Sequence, residues 1–181
     1  VFHIASFGMG GKEMMNGTLV EEINVGGTKN LIACCLANGV ANFIYTSSTN
    51  AVFTGQKDLP AMDETTPYPD QSEFVDHYSR TKSLAEQYTI KCNGTPLENA
   101  NPSSLATCAV RPCAIYGEGE ERHYKRFIDT MRAGVFKFVF GAESCRVDWI
   151  HVDNLIFGHL LAADRLLNPA TREQVAGQVY C

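Results

Sequence analysis

The sequence predicts an α/β domain in which helices cover both faces of a parallel β-sheet. Two features of the 181 residues carry this prediction. Short apolar runs alternate with longer segments of helical spacing, which is the order expected of strand–helix–strand units. The apolar runs are also nearly continuous, as in strands that are buried on both faces. The length suits one domain, or most of one, since domains commonly have about 100–200 residues.

The first third of the chain predicts a strand, a loop and a helix. Residues 1–6 form an apolar run typical of a buried strand, and the glycine-rich residues 7–15 predict a loop. Apolar side chains near helical spacing predict a helix over residues 16–38, interrupted or strained around the two glycines at residues 26–27. Gly39 is suited to end this helix.

The middle third predicts a strand, a helix and two loops. Residues 43–46 are rich in β-forming side chains, and residues 78–92 carry apolar positions among charges at helical spacing. Between them, the polar and proline-containing residues 53–77 predict a long loop, and long loops in compact domains are usually functional. Residues 93–104 predict a second polar loop.

The last third predicts further alternation of strands and helices. Asp153 is a good N-cap for the apolar helix that follows it. The chain begins at Val1 and ends at residues 179–181 inside strand-like runs, and because a bare sheet edge is a liability we expect a fragment of a longer protein. The expected strands are residues 105–110, 135–140 and 147–152, and the expected helices are residues 120–133 and 154–167.

Composition argues against several classes of protein. The net charge of -5 disfavours a nucleic-acid surface, which needs a basic face. No apolar run approaches the roughly 18–20 residues of a membrane span. The five histidines lack metal-ligand spacing, so we expect no metal site. The seven cysteines, with no C-x-x-C pair, predict free thiols in a reducing, intracellular compartment.

Three side chains form the sharpest candidate for chemistry. Tyr78 and Lys82 lie four residues apart in the predicted helix, so both side chains share one face. A nearby cation lowers the pKa of a phenol, and the pair could then exchange a proton with an alcohol or carbonyl near neutral pH. Ser48 follows a predicted strand, where its hydroxyl could hydrogen-bond the substrate oxygen. The Tyr-x-x-x-Lys spacing alone is also common on solvated helix surfaces.

The predicted sheet places three loops at one edge. Ligands of open parallel sheets bind outside the carboxyl ends of the strands. Residues 5–11, 47–53 and 111–119 each follow a predicted strand, so we expect them to border a ligand. The proline and glycines of the third loop suit a tight turn over a flat ligand.

Together these residues resemble the extended branch of the short-chain dehydrogenases/reductases, and most closely its 3β-hydroxysteroid dehydrogenase/Δ5-4 isomerase family. The resemblance extends in particular to the 42E members, to which residues 136–139 are also similar. Six motifs occur in the family's order, and together they are highly specific although each is weak alone. They are His3–Ser6, Asn24–Thr28, Tyr45–Ser48, Tyr78–Lys82, Arg111–Gly117 and His151–Asn154.

The resemblance implies a Rossmann-like, doubly wound parallel sheet that lacks its first βαβ unit and most of its C-terminal substrate domain. Residues 1–181 would form one partial NAD(P)-binding domain, with about residues 113–150 contributing to the substrate-binding region. The implied activity is hydride transfer between NAD or NADP and a secondary alcohol or ketone of a steroid-like substrate. We expect the fragment alone to be inactive and to bind cofactor weakly, because the family's glycine-rich first turn lies upstream of Val1.

The resemblance also implies a role for each matching residue. Tyr78 would be the general acid/base, and Lys82 would lower the pKa of Tyr78 and hold the nicotinamide ribose. Ser48 would position the reacting oxygen, and Asn24 stands where the family has a structural or proton-relay asparagine. The cofactor-binding residues would be Ala5, Ser6, Tyr78, Lys82, Pro112 and Ile115, and the substrate rim would include residues 53–77 and 116–124.

Assembly and location follow from the resemblance alone. Family members commonly form homodimers through two long helices, which would be residues 16–38 and 78–92 here. The full-length protein would be intracellular, on the cytoplasmic side, and associated with the endoplasmic-reticulum membrane only through segments absent from this sequence.

Two other interpretations stay open. A nucleotide-sugar epimerase or dehydratase of the same extended class typically has arginine directly before the aspartate of the aromatic–apolar–His-Val-Asp segment. Here Val147 precedes Asp148, and Arg146 is one place away, which points to the opposite face of a strand; Arg122 or Arg126 could substitute. The third interpretation is a catalytically silent dinucleotide-binding sensor, although such proteins often lose the tyrosine or lysine that this chain retains.

Overall fold

The computed structural model describes residues 1–98, 100, 102–135 and 143–181. Within this part of the chain, four strands form one parallel sheet in the order β1-β2-β3-β6, and β4 pairs in parallel with β5. The parallel sheet that the sequence predicts is therefore confirmed. The strands are β1 (Phe2–His3), β2 (Asn42–Thr46), β3 (Ala106–Val110), β4 (Ala114–Tyr116), β5 (Trp149–His151) and β6 (Val179–Tyr180).

Helices connect the strands and cover the sheet. A π-helical stretch, Glu22–Gly26, joins the first two helices into one continuous segment. Short 3₁₀ turns occupy Gly11–Met15, Thr49–Ala51 and Gln71–Glu73. The α-helices are α1 (Gly17–Glu21), α2 (Gly27–Ala37), α3 (His77–Lys91), α4 (Tyr124–Arg132), α5 (Val152–Leu167) and α6 (Arg172–Val175).

The irregularity expected near residues 26–27 is confirmed as this π-helical stretch. Glycine costs more backbone entropy in a helix than other residues do, so a helix with two adjacent glycines has little intrinsic preference for regular α geometry. Asn24 and Val25 are buried within the stretch, so their packing holds the irregular geometry. Gly39 follows α2 at φ 64°, in the left-handed region that favours glycine, and ends the helical segment as predicted.

Two apolar layers lie on opposite faces of the sheet. Successive strand residues point to opposite faces, so Phe43 and Tyr45 of β2 face one layer and Ile44 faces the other. The first layer also contains Ile32 and Cys35 of α2, Ala85 of α3, and Leu97, Leu105 and Ala109. The second contains Ala106, Cys108, Ala162, Leu166 and Val175, from β3, α5 and α6. Helices therefore cover both faces, as the sequence predicts.

Two local predictions need correction, and a third concerns residues outside the described part of the chain. Only Phe2 and His3 of the predicted first strand pair with β2, in register with Ile44 and Tyr45. The N-cap of α5 is His151 rather than Asp153, because the ring Nδ1 of His151 accepts a hydrogen bond from the Asp153 N–H at 3.2 Å. Asp153 lies in the first helical turn instead, where its negative charge interacts favourably with the positive end of the helix dipole. Of the predicted strand at residues 135–140, all but the first residue lies outside the described residues, as does the 136–139 segment.

The carboxyl ends of β2 and β3 are fastened to each other directly beyond the paired residues. The Ser47 N–H donates to the Val110 carbonyl at 2.7 Å, and the Thr49 N–H donates to the Pro112 carbonyl at 3.0 Å. These bonds fix the start of two loops at the same sheet edge. In the described ranges, no helix combines the length and the apolar character that crossing a membrane requires.

Candidate active site

A cavity of about 370 Å³ opens at the carboxyl ends of β1, β2 and β3. Residues from all three loops predicted to border a ligand line it, together with two side chains of α3. The structure thus brings six of the predicted site residues to one cavity, and Ala5 and Asn24 are not among the lining residues. The six are Ser6, Ser48, Tyr78, Lys82, Pro112 and Ile115.

The start of α3 sets the position of Tyr78 and Lys82. Asp76 caps the helix, since its Oδ1 accepts a hydrogen bond from the Ser79 N–H at 2.7 Å. Tyr78 therefore lies in the first turn and Lys82 one turn later, on the same face of the helix. Both side chains are buried, with 7% of Tyr78 and 2% of Lys82 exposed.

The Lys82 ammonium is held against the end of β2. Its Nζ donates to the Thr46 carbonyl at 2.6 Å and lies 4.5 Å from the centre of the Tyr45 ring. Burial lowers the pKa of Lys82 to about 8, and the charge of Glu86 opposes this shift. Lys82 therefore titrates near physiological pH, which an exposed lysine does not.

The pKa of Tyr78 differs from the sequence expectation. Burial raises the pKa of Tyr78 above its usual range, while the Ser6 hydroxyl and the charge of Arg122 partly oppose the shift. The sequence predicts a lowered pKa, because it shows the nearby lysine but not the depth of burial. In this structure desolvation outweighs the neighbouring charges, so Tyr78 retains its proton at neutral pH.

The two adjacent serines after β2 have different surroundings. The Ser48 Oγ accepts a hydrogen bond from the Asn50 N–H at 3.2 Å, which caps the short 3₁₀ turn but leaves the hydroxyl proton free to donate elsewhere. Ser47 also lines the cavity, and its Oγ is buried with no hydrogen-bond partner within the described part of the chain. Sequence reasoning assigned no role to Ser47.

Asn24 supports the cavity from behind. Its Oδ1 accepts from the Phe7 N–H at 2.8 Å, and its Nδ2 donates to the Phe7 carbonyl and the Thr81 hydroxyl, both at 2.9 Å. The amide group thereby ties the loop after β1 to α3. These bonds occupy the amide. Of the two roles that the family resemblance implies for Asn24, the geometry therefore fits the structural role rather than the proton relay.

A buried ion pair behind Lys82 is the largest feature that sequence reasoning missed. Arg111 donates to the Glu86 carboxylate through Nε, at 3.1 Å from both oxygens, and through Nη2 at 2.7 Å from Oε1. The Tyr68 hydroxyl donates to the same Oε1 at 2.6 Å. The available signal was the four-residue spacing from Lys82 to Glu86, which places both on one helix face.

Aromatic rings gather on the α4 and β5 side of the cavity. Tyr116 and His123 line the cavity. The ring of Tyr116 lies 5.1 Å from that of His151, and the ring of Trp149 lies 5.5 Å from that of His123 and 5.1 Å from that of Tyr124. These contacts give this side of the cavity a mainly apolar surround.

Comparison with known proteins decides the family. The sequence model of the 3-beta hydroxysteroid dehydrogenase/isomerase family matches residues 1–181, the whole chain. The chain belongs to this family. Short-chain dehydrogenase/reductase family 42E member 1 of Danio rerio is 47% identical over 180 residues, which cover 99% of this chain and 46% of that protein. The 3 beta-hydroxysteroid dehydrogenase/Delta 5-->4-isomerase of Mycobacterium tuberculosis is 35% identical over 188 residues, with 99% and 46% covered.

Solved structures of other proteins share the fold. Epimerase Mth375 from Methanothermobacter thermautotrophicus superposes with a TM-score of 0.73 at 21% identity, covering 99% of this chain and 49% of that one. The dTDP-glucose 4,6-dehydratase DesIV from Streptomyces venezuelae, solved with NAD bound, gives 0.70 at 20% identity, covering 99% and 50%. The fold is thus Rossmann-like, and the chain spans about half the length of the curated relatives it matches.

Proposed function

We propose that the protein containing this chain is an NAD(P)-dependent oxidoreductase of the 3β-hydroxysteroid dehydrogenase type. The reaction would interconvert a secondary alcohol and a ketone on a steroid-like substrate. The observation that carries the proposal is that Tyr78, Lys82 and Ser48, distant in sequence, line one cavity at the sheet edge where such folds bind ligands. Membership of the 3-beta hydroxysteroid dehydrogenase/isomerase family supports the same activity.

The cavity fits the nicotinamide half of NAD or NADP. Pro112 and Ile115 offer an apolar wall for a flat ring, while Lys82 and Tyr78 offer buried polar groups for the ribose. Ser6 lies on the exposed side of the same cavity, and Ala5 is exposed beside it. When bound, the nicotinamide would accept or supply the hydride. These residues would hold it, with Lys82 as the ribose ligand.

The chain's own side chains would move the proton. Tyr78, which retains its proton at neutral pH, would donate that proton to the oxygen of a ketone and recover it from the hydroxyl of an alcohol. Ser48 would donate a hydrogen bond to the same oxygen, where negative charge develops. The Lys82 ammonium would favour the phenolate that forms on Tyr78 after the proton leaves.

An epimerase or dehydratase acting on a nucleotide sugar is the second candidate. One observation favours it: Arg122 lines the cavity, and its charge partly opposes the rise that burial causes in the pKa of Tyr78. An arginine there could bind a diphosphate. The aromatic surround of Tyr116 and Trp149 favours an apolar substrate instead, which is why the steroid-like substrate is our first choice. Retention of Tyr78 and Lys82 argues against a silent sensor.

The remaining family implications form part of this proposal. Residues 1–181 would be one partial cofactor-binding domain, and about residues 113–150 would contribute to the substrate-binding region. Homodimers would form through the helical segment of α1 and α2 together with α3. Any association of the full-length protein with the endoplasmic-reticulum membrane would depend on segments outside this sequence.

The test uses the full-length natural protein that contains these residues. Formation of reduced nicotinamide would be followed with NAD or NADP and a panel of 3β-hydroxysteroids. Conversion of UDP- and dTDP-sugars, which returns the nicotinamide to its oxidised form, would be followed separately by chromatography of the sugar nucleotides. We expect steroid turnover that Tyr78→Phe reduces by roughly 10²–10⁴-fold, the usual worth of a general acid/base. Tyr88→Phe, on the same helix but not among the cavity-lining residues, should leave turnover unchanged. Turnover of sugar nucleotides alone would establish the second candidate, and full activity of Tyr78→Phe would refute both.

A further inference from the structure

A fully buried carboxylate lies one helical turn beyond Lys82. The Glu86 side chain is 0% exposed and its partner Arg111 is 1% exposed. Three N–H···O contacts from Arg111 and one from the Tyr68 hydroxyl converge on the two carboxylate oxygens. The Arg111 guanidinium also lies 5.3 Å from the centre of the Tyr68 ring. Both carboxylate oxygens therefore accept hydrogen bonds, and the group is out of contact with solvent.

A buried ion pair of this kind needs a functional explanation. Removing two charges from water costs as much as their attraction returns, so apolar side chains of the same volume commonly stabilise a fold equally well. Salt does not screen buried charges as it screens surface charges, so the field of Glu86 persists at physiological ionic strength. The chemistry that this field can influence is the charge state of its neighbours.

Lys82 is the neighbour that responds to the field. The titratable groups that face Lys82 are Tyr78 and Glu86 on α3, Tyr45 on β2 and His3 on β1. Burial pushes the pKa of Lys82 down to about 8, and the carboxylate of Glu86 opposes that shift. The charge of Lys82 in turn contributes to the lowered pKa of His3. Among these neighbours, Glu86 is the carboxylate, and its charge favours the ammonium.

The same carboxylate connects two loops of the site. Arg111 is the first residue of the 111–119 loop, whose Pro112 and Ile115 line the cavity. Tyr68 belongs to the long loop between β2 and α3. Its hydroxyl donates a hydrogen bond to Glu86, and this bond attaches the loop to the core. A single side chain therefore lies between the lysine, the cofactor-facing loop and the long loop.

We propose that Glu86 is a positioning residue that keeps Lys82 protonated and holds Arg111 and Tyr68 at the base of the two loops. The role rests on the proposed function only in that Lys82 is taken to bind the cofactor ribose. Glu86 itself touches neither cofactor nor substrate. Its loss should therefore change the pH range over which the site works rather than remove a reacting group.

The test compares Glu86→Gln with the natural full-length protein. The first measurement is the ¹³Cε resonance of Lys82 against pH in lysine-labelled protein without cofactor, assigned with Lys82→Arg. We expect the midpoint of the Lys82 titration to fall by roughly one pH unit or more, since an opposite charge at this range is worth about that much. The second measurement is the dissociation constant of NADH at pH 6 and pH 8. A fall of one unit from about 8 would reduce the protonated fraction at pH 8 from about one half to about one tenth.

Cofactor affinity should follow that fraction. We expect NADH binding by Glu86→Gln to weaken about five-fold at pH 8 and to remain nearly unchanged at pH 6. Glu86→Asp keeps the charge and should restore most of the natural midpoint. Tyr68→Phe removes only the hydroxyl bond, so the midpoint should stay while proteolytic cleavage in the long loop becomes faster. Glu173→Gln, exposed on α6, is the surface control and should change nothing.

The outcomes separate the role of Glu86 from the proposed function of the protein. An unchanged Lys82 midpoint in Glu86→Gln would overturn the role of Glu86, whatever the enzyme does. If Glu86→Gln fails to fold because Arg111 is left unpaired, the double variant Glu86→Gln/Arg111→Met removes both charges and should still show the lowered midpoint. Failure of the natural protein to bind NADH or turn over substrate would refute the proposed function, while the resonance of Lys82 would still decide the role of Glu86.

Discussion

Replacing Lys82 by methionine should abolish activity and yet not destabilise the protein at neutral pH. Burial lowers the pKa of Lys82 from 10.5 to about 8, a change of about 2.5 pH units. At 1.36 kcal/mol per unit, the folded state gives up roughly 3 kcal/mol to keep the ammonium charged. Methionine fills a similar volume without a charge. Its cost is the lost hydrogen bond to the Thr46 carbonyl, and an unpaired buried carbonyl costs about 1–3 kcal/mol.

The balance at pH 7 is therefore a gain of about 0–2 kcal/mol for Lys82→Met. The pH dependence gives a sharper criterion, because it does not contain the hydrogen-bond cost. Below pH 8 the lysine is protonated in both the folded and the unfolded chain, so the difference between the two proteins is constant. Between pH 8 and 10.5 the unfolded chain binds a proton that the folded chain does not, so the natural protein gains stability as pH rises. Over this range it should gain roughly 3 kcal/mol relative to Lys82→Met.

Urea unfolding at pH 7, 8, 9 and 10 measures this difference directly. The other titrating groups are common to both proteins, so they cancel when one free energy of unfolding is subtracted from the other. Lys91→Met supplies the matched control, because Lys91 is exposed in the last turn of the same helix. Its difference from the natural protein should stay flat with pH. Parallel curves for Lys82→Met and the natural protein would refute the argument from burial.

Two further predictions concern buried polar groups away from the reacting atoms. Arg111→Met leaves the Glu86 carboxylate buried without its cation, and we expect the free energy of unfolding in urea to fall by about 3–5 kcal/mol. Arg80→Met breaks the exposed pair with Glu21 and should lower the free energy of unfolding by less than about 1 kcal/mol. Equal losses in the two variants would contradict this prediction. Burial and Lys82 lower the pKa of His3 to about 4, so the unfolded chain gains a proton before the folded chain as pH falls below 6.5. Between pH 6.5 and 4, the free energy of unfolding of the natural protein should therefore fall by up to about 3 kcal/mol more than that of His3→Gln. Urea unfolding at several pH values measures both, and the same pH dependence in the two proteins would exclude this prediction.

The parts of the fold that local pattern determines could be predicted from the sequence. Continuous apolar runs predicted β2 and β3 within one residue at each end, and the adjacent glycines predicted the irregular turn before α2. Parallel sheets bring the carboxyl ends of their strands to one edge, so the three loops that line the cavity could be named without coordinates. Helical spacing alone placed Tyr78 and Lys82 on a common face.

The parts that depend on burial or on distant partners could not be predicted. Glu86 and Arg111 are 25 residues apart, and no periodic pattern links them. Asn24 acts through Phe7 and Thr81, which lie 17 and 57 residues away. The predicted downward shift of the Tyr78 pKa was wrong for the same reason. A sequence shows which charges are near a group but not how completely burial removes water from it.

Burial acts on both central side chains toward the same result. It disfavours the phenolate of Tyr78 and the ammonium of Lys82, so it moves the pKa of each group toward its neutral form. A neutral phenol is a proton donor, which suits reduction of a ketone, whereas oxidation of an alcohol requires the phenolate. The Ser6 hydroxyl and the charge of Arg122 favour that phenolate, a protonated Lys82 would add to them, and Glu86 is the buried charge that favours a protonated Lys82. In the proposed reaction, the pH range of alcohol oxidation would therefore depend on the buried ion pair of Glu86 and Arg111, which would not touch the substrate.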